Sequence, residues 1–150
     1  MRIVLQRVAK ASVSIDGAVY SSVGKGLMVL VGVQEGDTSD DVDWLVAKTG
    51  NLRIFDDSTG VMNLSVMDIG GEILAVSQFT LSASTRKGNR PSYIRAAKHE
   101  TAVPLYEAYC RKLGELTGKE IKTGKFGADM QVELINDGPV TIIIDSHLKE

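Results

Sequence analysis

The chain has 150 residues, 43% of them hydrophobic, and a formal net charge of −2 at pH 7. This length fits a single domain over residues 1–150, which needs no disulfide or metal because it buries roughly 68–70% of its unfolded surface. The single cysteine, Cys110, excludes an internal disulfide and indicates a reducing compartment. No stretch approaches the ~20 apolar residues that cross a bilayer, and the apolar run at the amino terminus is too short for a signal peptide. We therefore expect a soluble, cytoplasmic protein with an inert, buried Cys110 thiol.

The charge is unevenly distributed along the chain. Between Arg86 and Lys125 ten basic residues accompany four acids, a local net charge of +6 that leaves −8 for the remainder. One interpretation is that a basic face of the protein binds a polyanion while the opposite face is acidic. The other is a pair of ordinary solvated surfaces, and charge alone does not choose between them.

The first half of the chain predicts a hairpin, a buried strand and a helix. Residues 11–15 and 18–22 flank Asp16-Gly17, a dipeptide typical of a two-residue hairpin turn, and residues 2–8 form a further extended run. Gly26–Val33 is continuously apolar, as in a strand buried on both faces. Thr38 or Ser39 then caps a helix whose first turn carries acids. Its buried face is predicted from helical spacing: Val42, Leu45, Val46 and Thr49.

The second half predicts a strand over Glu72–Thr80, a basic loop over 82–91 and a helix from about Thr101 to Gly118. Pro104 would lie in the first turn of this helix. Its predicted apolar stripe is Leu105, Tyr109, Leu113 and Leu116. Two more strands, Met130–Ile135 and Val140–Asp145, close the chain. This order of elements predicts a layered α/β domain with a mixed sheet and two main helices.

A search for conventional hydrolase chemistry is negative. His99 and His147 lie in charged or terminal segments and are interpreted as solvated surface residues. With Cys110 they have no metal-site spacing, and neither a G-x-S-x-G elbow nor a phosphate-binding G-x-x-x-x-G-K-[ST] loop occurs. The sequence thus predicts no metal, no cofactor and no usual nucleophile.

Two segments nevertheless differ from ordinary structural sequence. Ser77–Leu81 places polar side chains at the tip of an apolar strand, where backbone amides beyond the ladder are free to donate. Gly138-Pro139 interrupts two apolar strands, and a proline cannot donate to a ladder. The plain alternatives are a simple strand end and a trans turn.

Five segments occur in the same order as in D-aminoacyl-tRNA deacylases. They are RIVLQRV (2–8), SQFTL (77–81), GNRPS (88–92), FGADM (126–130) and NDGPVT (136–141). The chain therefore resembles this family over about residues 1–145. The resemblance implies a layered, partly barrel-like fold and a homodimer with active sites at the subunit interface.

The resemblance also implies how the substrate is selected. In this family a Gly-cis-Pro pair of one subunit enters the active site of the other, and here that pair is Gly138-Pro139. Its carbonyls would accept hydrogen bonds from the α-ammonium group, so that an L side chain meets the backbone while a D side chain or glycine does not. Arg7 would brace the Gly-Pro segment, and its alternative interpretation is a surface salt bridge.

The implied chemistry relies on the RNA, because the 2′-hydroxyl of the terminal ribose is thought to position or activate water. The catalytic segment is Ser77, Gln78, Phe79 and Thr80, in which backbone amides around Gln78 and Phe79 would polarise the ester. Thr80 is assigned to hydrogen bonding, since no base is evident beside it. Phe126 and Met130 would form the wall near the terminal adenine, their alternative being a place in the core.

Arg86, Lys87 and Arg90 are predicted to contact phosphates of the tRNA. One departure concerns the residues after SQFTL, where many relatives have an aromatic residue and then an acid, but Ser82 and Ser84 stand here. A role for position 82 in binding is therefore in doubt. Two competing hypotheses are a non-catalytic tRNA-binding module and an esterase that uses Thr80 as its nucleophile.

Overall fold

The computed structural model describes residues 1–149, and its strands and helices are as follows. The strands are β1 (Arg2–Ile15), β2 (Ala18–Val23), β3 (Gly26–Gly32), β4 (Phe55–Asp56), β5 (Met62–Leu64), β6 (Glu72–Ser77), β7 (Lys122–Thr123) and β8 (Gln131–Asp145). The helices are α1 (Ser39–Asn51), α2 (His99–Thr117) and a single 3-10 turn over Phe79–Ser82. Neither α-helix in this part of the chain is long and apolar enough to cross a membrane.

Strand β1 organises the sheet because it is paired along both of its edges. On one edge, β2 and β3 run antiparallel to it in succession, with Ile15 opposite Ala18 and Arg2 opposite Gly32. On the other edge lies β8. The predicted hairpin is confirmed, since Asp16 and Gly17 both have positive φ, as a type I′ turn requires.

Beyond β3 the sheet continues with β6 and then β7, both in parallel pairing. The Ser21 hydroxyl of β2 donates to the Thr123 carbonyl of β7 at 2.6 Å, so the far edge curls back towards β2. The sheet is thus curved like part of a barrel. Together with the two helices it confirms the predicted layered α/β class.

Both faces of the central strands are buried, as the apolar run of β3 predicts. Leu27, Val29 and Val31 join the core cluster under the helices, while Met28 joins a second cluster on the opposite face. Burying both faces leaves no solvated side of β3, which is why its sequence is continuous rather than alternating.

Helices α1 and α2 pack on the same face of the sheet. The predicted face of α1, from Val42 to Thr49, is buried, and the capping prediction at Thr38 is confirmed because its backbone N–H donates to Asp41 at 2.8 Å. The buried Thr49 and Tyr109 hydroxyls form a hydrogen bond of 2.8 Å that joins the two helices.

Three details of α2 were predicted wrongly. It begins at His99, so Pro104 lies in its second turn rather than its first, and the residue is exposed there. Tyr106, which was not in the predicted stripe, is buried more deeply than Leu105, which packs against the core while partly exposed, and Leu116 is 42% exposed. The predicted end is confirmed, because Gly118 has the left-handed conformation and donates to Gly114.

Two strand predictions are also corrected. The strand that begins at Glu72 ends at Ser77 rather than Thr80, because its neighbour β3 ends at Gly32 and offers no ladder beyond the hydrogen bond from Gln78 to Val31. The runs 130–135 and 140–145 form one strand, β8, whose irregular register opposite Gln6–Lys10 accommodates Gly138-Pro139.

Candidate active site

A cavity of about 430 Å³ opens at the carboxyl ends of the parallel strands β3 and β6. The first turns of α2 form one wall and the segment 126–132 the other. Its lining includes five of the predicted site residues: Ser77, Gln78, Phe79, Phe126 and Met130. The fold thus brings together two motifs that are about fifty residues apart in sequence.

The amides at the end of β6 differ in their availability. The Gln78 N–H donates to the Val31 carbonyl at 2.7 Å, so it is not a free donor as predicted. The Phe79 and Thr80 N–H groups begin the 3-10 turn and have no acceptor within it, and no other backbone acceptor in residues 1–149 bonds them. The candidate for a polarising donor therefore moves from Gln78 to Phe79, which lines the cavity, with Thr80 beside it.

Thr80 itself does not line the cavity. Its hydroxyl accepts a hydrogen bond of 2.6 Å from Gln78 Nε2, and no histidine or carboxylate in the described part of the chain bonds to it. An activated threonine nucleophile needs such a base. The geometry agrees with a hydrogen-bonding role for Thr80 and gives no support to the esterase hypothesis.

The far wall of the cavity combines aromatic rings with the Met130 side chain. The centroid of the Phe126 ring lies 5.1 Å from that of His99, with the two rings nearly perpendicular, and 6.0 Å from that of Tyr106. The Tyr106 hydroxyl donates to the Ala75 carbonyl at 2.8 Å, and burial raises its pKa, so it is a neutral anchor of the wall. Met130 packs on Gly124, where a Cβ would lie 2.4 Å from its sulfur.

His99 was missed as a cavity residue. It is exposed, as predicted for a surface histidine, but it also lines the cavity beside Phe126. Sequence reasoning missed Tyr106 and Val132 for a similar reason, since both look like ordinary core or strand residues. The signal that could have found His99 is its position at the first residue of a helix that follows a basic loop.

The Gly138-Pro139 segment lies outside the cavity of its own protomer. Its peptide bond is cis, and both residues are exposed. Arg7 is only 8% exposed and donates from Nε to the Asp137 carbonyl at 3.0 Å and from Nη1 to the Ile54 carbonyl at 2.8 Å. Arg7 also forms ion pairs with the half-exposed carboxylates of Asp56 at 3.4 Å and Asp137 at 3.5 Å, so its buried guanidinium combines a contact to the Gly138-Pro139 segment with the ion pairing of the alternative interpretation.

Of the predicted tRNA contacts, Arg86, Lys87 and Arg90 are exposed on the loop between the 3-10 turn and α2, and none of them lines the cavity. The basic residues further along are engaged differently. Arg111 pairs with Glu115, and Lys112 pairs with Asp43. The excess positive charge available to a ligand is thus concentrated on the loop. Ser82, at the departure from the family pattern, is fully buried.

The cluster of possible metal ligands within residues 1–149 is Asp37, Asp41 and His147, none of which lines the cavity. Asp37 already accepts from the Met1 amine and from His147, and Asp41 accepts from Thr38. These carboxylates serve to join the ends of β1 and β8 to α1. Cys110 is half-buried, and burial raises its pKa to about 11, which agrees with an inert thiol.

Comparison with known proteins identifies the family. The model of the D-Tyr-tRNA(Tyr) deacylase family matches residues 4–145. The chain belongs to this family. Curated relatives named D-aminoacyl-tRNA deacylase include one from Bacteroides thetaiotaomicron, 63% identical over 150 residues, and one from Flavobacterium psychrophilum, 58% identical, each alignment covering all of both chains. The predicted family is confirmed, and so, at the level of the family, is an enzyme that hydrolyses an aminoacyl-tRNA ester.

Solved structures share the fold over nearly the whole chain. One described as a c-Myc DNA unwinding element binding protein is 43% identical, with a TM-score of 0.91 and coverage of 97% of this chain and 98% of its own. Another, described as a probable eukaryotic D-amino acid tRNA deacylase, has a TM-score of 0.81 at 17% identity, covering 95% and 97%. This second likeness concerns the fold alone.

Proposed function

We propose that the chain is a single D-aminoacyl-tRNA deacylase domain over residues 1–150, which releases a D-amino acid, or glycine mischarged on alanine tRNA, from the tRNA 3′ end. The observation that carries the proposal is the convergence of Ser77, Gln78 and Phe79 with Phe126 and Met130 around one cavity. Phe79 in the lining has a backbone N–H without a backbone acceptor in residues 1–149, the wall contains aromatic rings, and no described lining residue is a nucleophile hydrogen-bonded to a base. A site with these groups suits a substrate whose ester is already activated.

In the proposed mechanism the cavity holds the terminal adenosine and the ester. Phe126 and Met130 contact the base, for which an apolar wall is suitable because stacking tolerates any base. The Phe79 N–H donates a hydrogen bond that orients the ester carbonyl and stabilises the negative charge that develops on its oxygen. Such an oxyanion donor lowers the activation free energy by about 2.7–4 kcal/mol. The ribose 2′-hydroxyl positions the attacking water, and fixing the groups contributes up to about 7–11 kcal/mol.

Selection by handedness is proposed to come from the partner protomer. Gly138 and Pro139 are exposed and lie outside their own cavity, so they are available to another protomer. Their carbonyls bind the α-ammonium group, and an L side chain then meets the backbone, whereas a D side chain points away and glycine has none. Arg7 holds the segment in place through the Asp137 carbonyl.

The homodimer that this requires is supported by the outer edge of β8. Within the described residues β8 pairs with β1 alone, so its other edge is open along a strand of 15 residues. Ile135 and Ile143 on this strand are 50% and 66% exposed. A long open edge with exposed apolar side chains is usually covered by another chain.

The direct test measures release of tyrosine from D-Tyr-tRNA and L-Tyr-tRNA with and without the protein. Acceleration of the D ester alone is expected, with release of glycine from glycyl-tRNA as a second positive substrate. If release of both esters equals the uncatalysed rate while the tRNA still binds, the protein is a non-catalytic tRNA-binding module. The DNA-binding description of one structural relative makes that second candidate worth the same assay.

The shared site has a separate test by mixing two inactive variants. Phe126→Ala impairs the cavity, and Pro139→Arg places bulk on the exposed segment that enters the partner. Co-expression forms mixed dimers that contain one intact site, so about a quarter of the wild-type activity is expected to return. No recovery would show that each protomer uses its own Gly138-Pro139 segment.

A cytoplasmic location is proposed because the substrate is tRNA.

A further inference from the structure

Two exposed aromatic rings stand in contact at the rim of the cavity. Phe79 is 57% exposed and Tyr93 is 39% exposed, and their ring centroids lie 5.1 Å apart at an interplanar angle of 74°. A large aromatic side chain that is exposed to water does not gain the free energy of burial. A pair of such side chains in contact therefore indicates a surface that another molecule covers.

Both rings are held by rigid backbone. Phe79 lies in the 3-10 turn. The segment before Tyr93 is joined to the chain after this turn by a pair of hydrogen bonds between Ser84 and Ser92, at 2.8 and 2.9 Å. The Tyr93 carbonyl then accepts from the Ala96 N–H at 2.9 Å. Backbone hydrogen bonds thus fix the positions from which the two rings meet.

The pair is continuous with the cavity, because Phe79 lines the cavity while Tyr93 lies beyond it. A linear polymer whose end occupies the cavity would pass over Phe79 and then reach Tyr93. The proposed substrate has this form, since its terminal nucleoside is preceded by further unpaired nucleotides.

The charge around the pair favours an anionic partner. Residues 73–99 contain five lysines and arginines and no aspartate or glutamate. Glu72 and Glu100 flank this segment in sequence, the Glu35 carboxylate accepts from the Lys98 N–H, and Asp129 lies in the cavity lining. The same surface of a second copy would bring like charges together, which disfavours a self-association of this patch.

We infer that Phe79 and Tyr93 form a stacking platform for the unpaired nucleotide that precedes the terminal adenosine of the tRNA. This inference rests on the proposed function and adds a second nucleotide subsite to it. The ligand class is a nucleobase on a phosphate backbone, with Arg90 and Arg95 of the same loop placed in the sequence to meet the phosphates.

The test compares Tyr93→Ala, Tyr93→Phe and Tyr20→Ala on two substrates, D-Tyr-tRNA and D-tyrosyl-adenosine, which lacks the preceding nucleotide. Tyr20 is also an exposed tyrosine but lies on β2 and not beside Phe79, so its variant is the matched control. For Tyr93→Ala we expect about a ten-fold lower kcat/KM on D-Tyr-tRNA, mainly through KM, with no change on D-tyrosyl-adenosine. Tyr93→Phe and Tyr20→Ala are expected to retain wild-type values on both.

An equal loss on both substrates, or no loss on D-Tyr-tRNA, would overturn the inference. So would a change in oligomeric state of Tyr93→Ala in light scattering, which would assign the patch to a contact between copies. If the wild-type protein cleaves neither substrate, the proposed function fails instead. The platform is then judged by binding of a single-stranded RNA ending in CCA, which Tyr93→Ala must weaken about ten-fold.

Discussion

The Gln78 side chain donates to the Thr80 hydroxyl across a single turn, at 2.6 Å. This hydrogen bond joins the residue that ends the β6 ladder to the second residue of the 3-10 turn. It therefore fixes the orientation of the intervening Phe79 amide, which is the proposed donor to the ester. The hydroxyl acts on the reaction through backbone position rather than through attack on the substrate.

Replacing Thr80 separates these two roles. Thr80→Ala is expected to lower kcat on D-Tyr-tRNA about ten-fold, because the turn loses one hydrogen bond while the amide remains. Thr80→Ser keeps the hydroxyl and is expected to retain most of the activity. A covalent nucleophile would instead lose about 10⁴-fold or more on removal of its hydroxyl, a result that single-turnover kinetics would reveal.

Arg7 offers a test of the segment that it braces. Arg7→Lys keeps the charge but cannot bond the Asp137 and Ile54 carbonyls with one planar fork, so the 137–139 segment is expected to loosen. We expect slower cleavage of D-Tyr-tRNA and a smaller ratio of D to L cleavage. Arg111→Lys, at an exposed ion pair with Glu115, is the control. An unchanged ratio in a folded Arg7→Lys protein would argue against a bracing role.

The Gly138→Ala substitution does not test the partner's pocket alone. A Cβ at this position would lie 2.9 Å from Val140 Cγ2 and 3.1 Å from Arg7 Nη2, and φ is +131°. The change therefore disturbs its own protomer before it narrows any neighbouring pocket. Loss of activity is expected together with a lower Tm, and thermal unfolding must accompany the assay.

A stability prediction concerns the close approach of β3 and β6. A Cβ at Gly26 would lie 1.8 Å from the Glu72 carbonyl oxygen, whereas one at Gly24 would meet only the flexible Glu72 carboxylate at 3.4 Å. Gly26→Ala is expected to reduce the free energy of unfolding by about 3 kcal/mol, and Gly24→Ala by less than about 0.5 kcal/mol. Equal urea midpoints for the two variants would contradict this backbone contact.

Acid is expected to weaken the junction between the ends of β1 and β8. Burial opposes ionisation of Asp145, but hydrogen bonds from the His147 N–H and from Arg2 lower its pKa below the usual 3.8. A lowered folded-state pKa gives stability that is present above about pH 4 and is lost as the pH falls through that pKa. Asp145→Asn is expected to cost about 1.5–3 kcal/mol at pH 7. In thermal unfolding this difference from wild type is expected to shrink below pH 4, and a constant difference would contradict the assignment.

The pKa of Cys110, raised to about 11, predicts a slow thiol. At pH 8 only about 0.1% of such a group is thiolate, the form that reacts with iodoacetamide. Mass spectrometry is expected to show little alkylation of the native protein and complete alkylation in denaturant. Equal rates in the two states would mean that the thiol is accessible and ionised.

The sequence predicted best what local chemistry controls. The Asp16-Gly17 turn, the Thr38 cap and the Gly118 stop each depend on the conformational preferences of one or two residues, and all three are confirmed. The end of β6 could not be predicted because it depends on where its neighbour β3 stops. Likewise, His99 reaches the cavity only because α2 packs across the sheet, a placement that sequence spacing does not contain.

The pairing of β1 with β8 has a consequence for how the protein is made. It brings Arg2 opposite Asp145, so β1 obtains its second neighbour only after β8, more than a hundred residues later in the chain, has been synthesised. Until then one edge of β1 is open, and contacts so distant in sequence form slowly. The nascent protein is therefore expected to depend on protection from aggregation late in translation, when residues 131–145 are still within the exit tunnel.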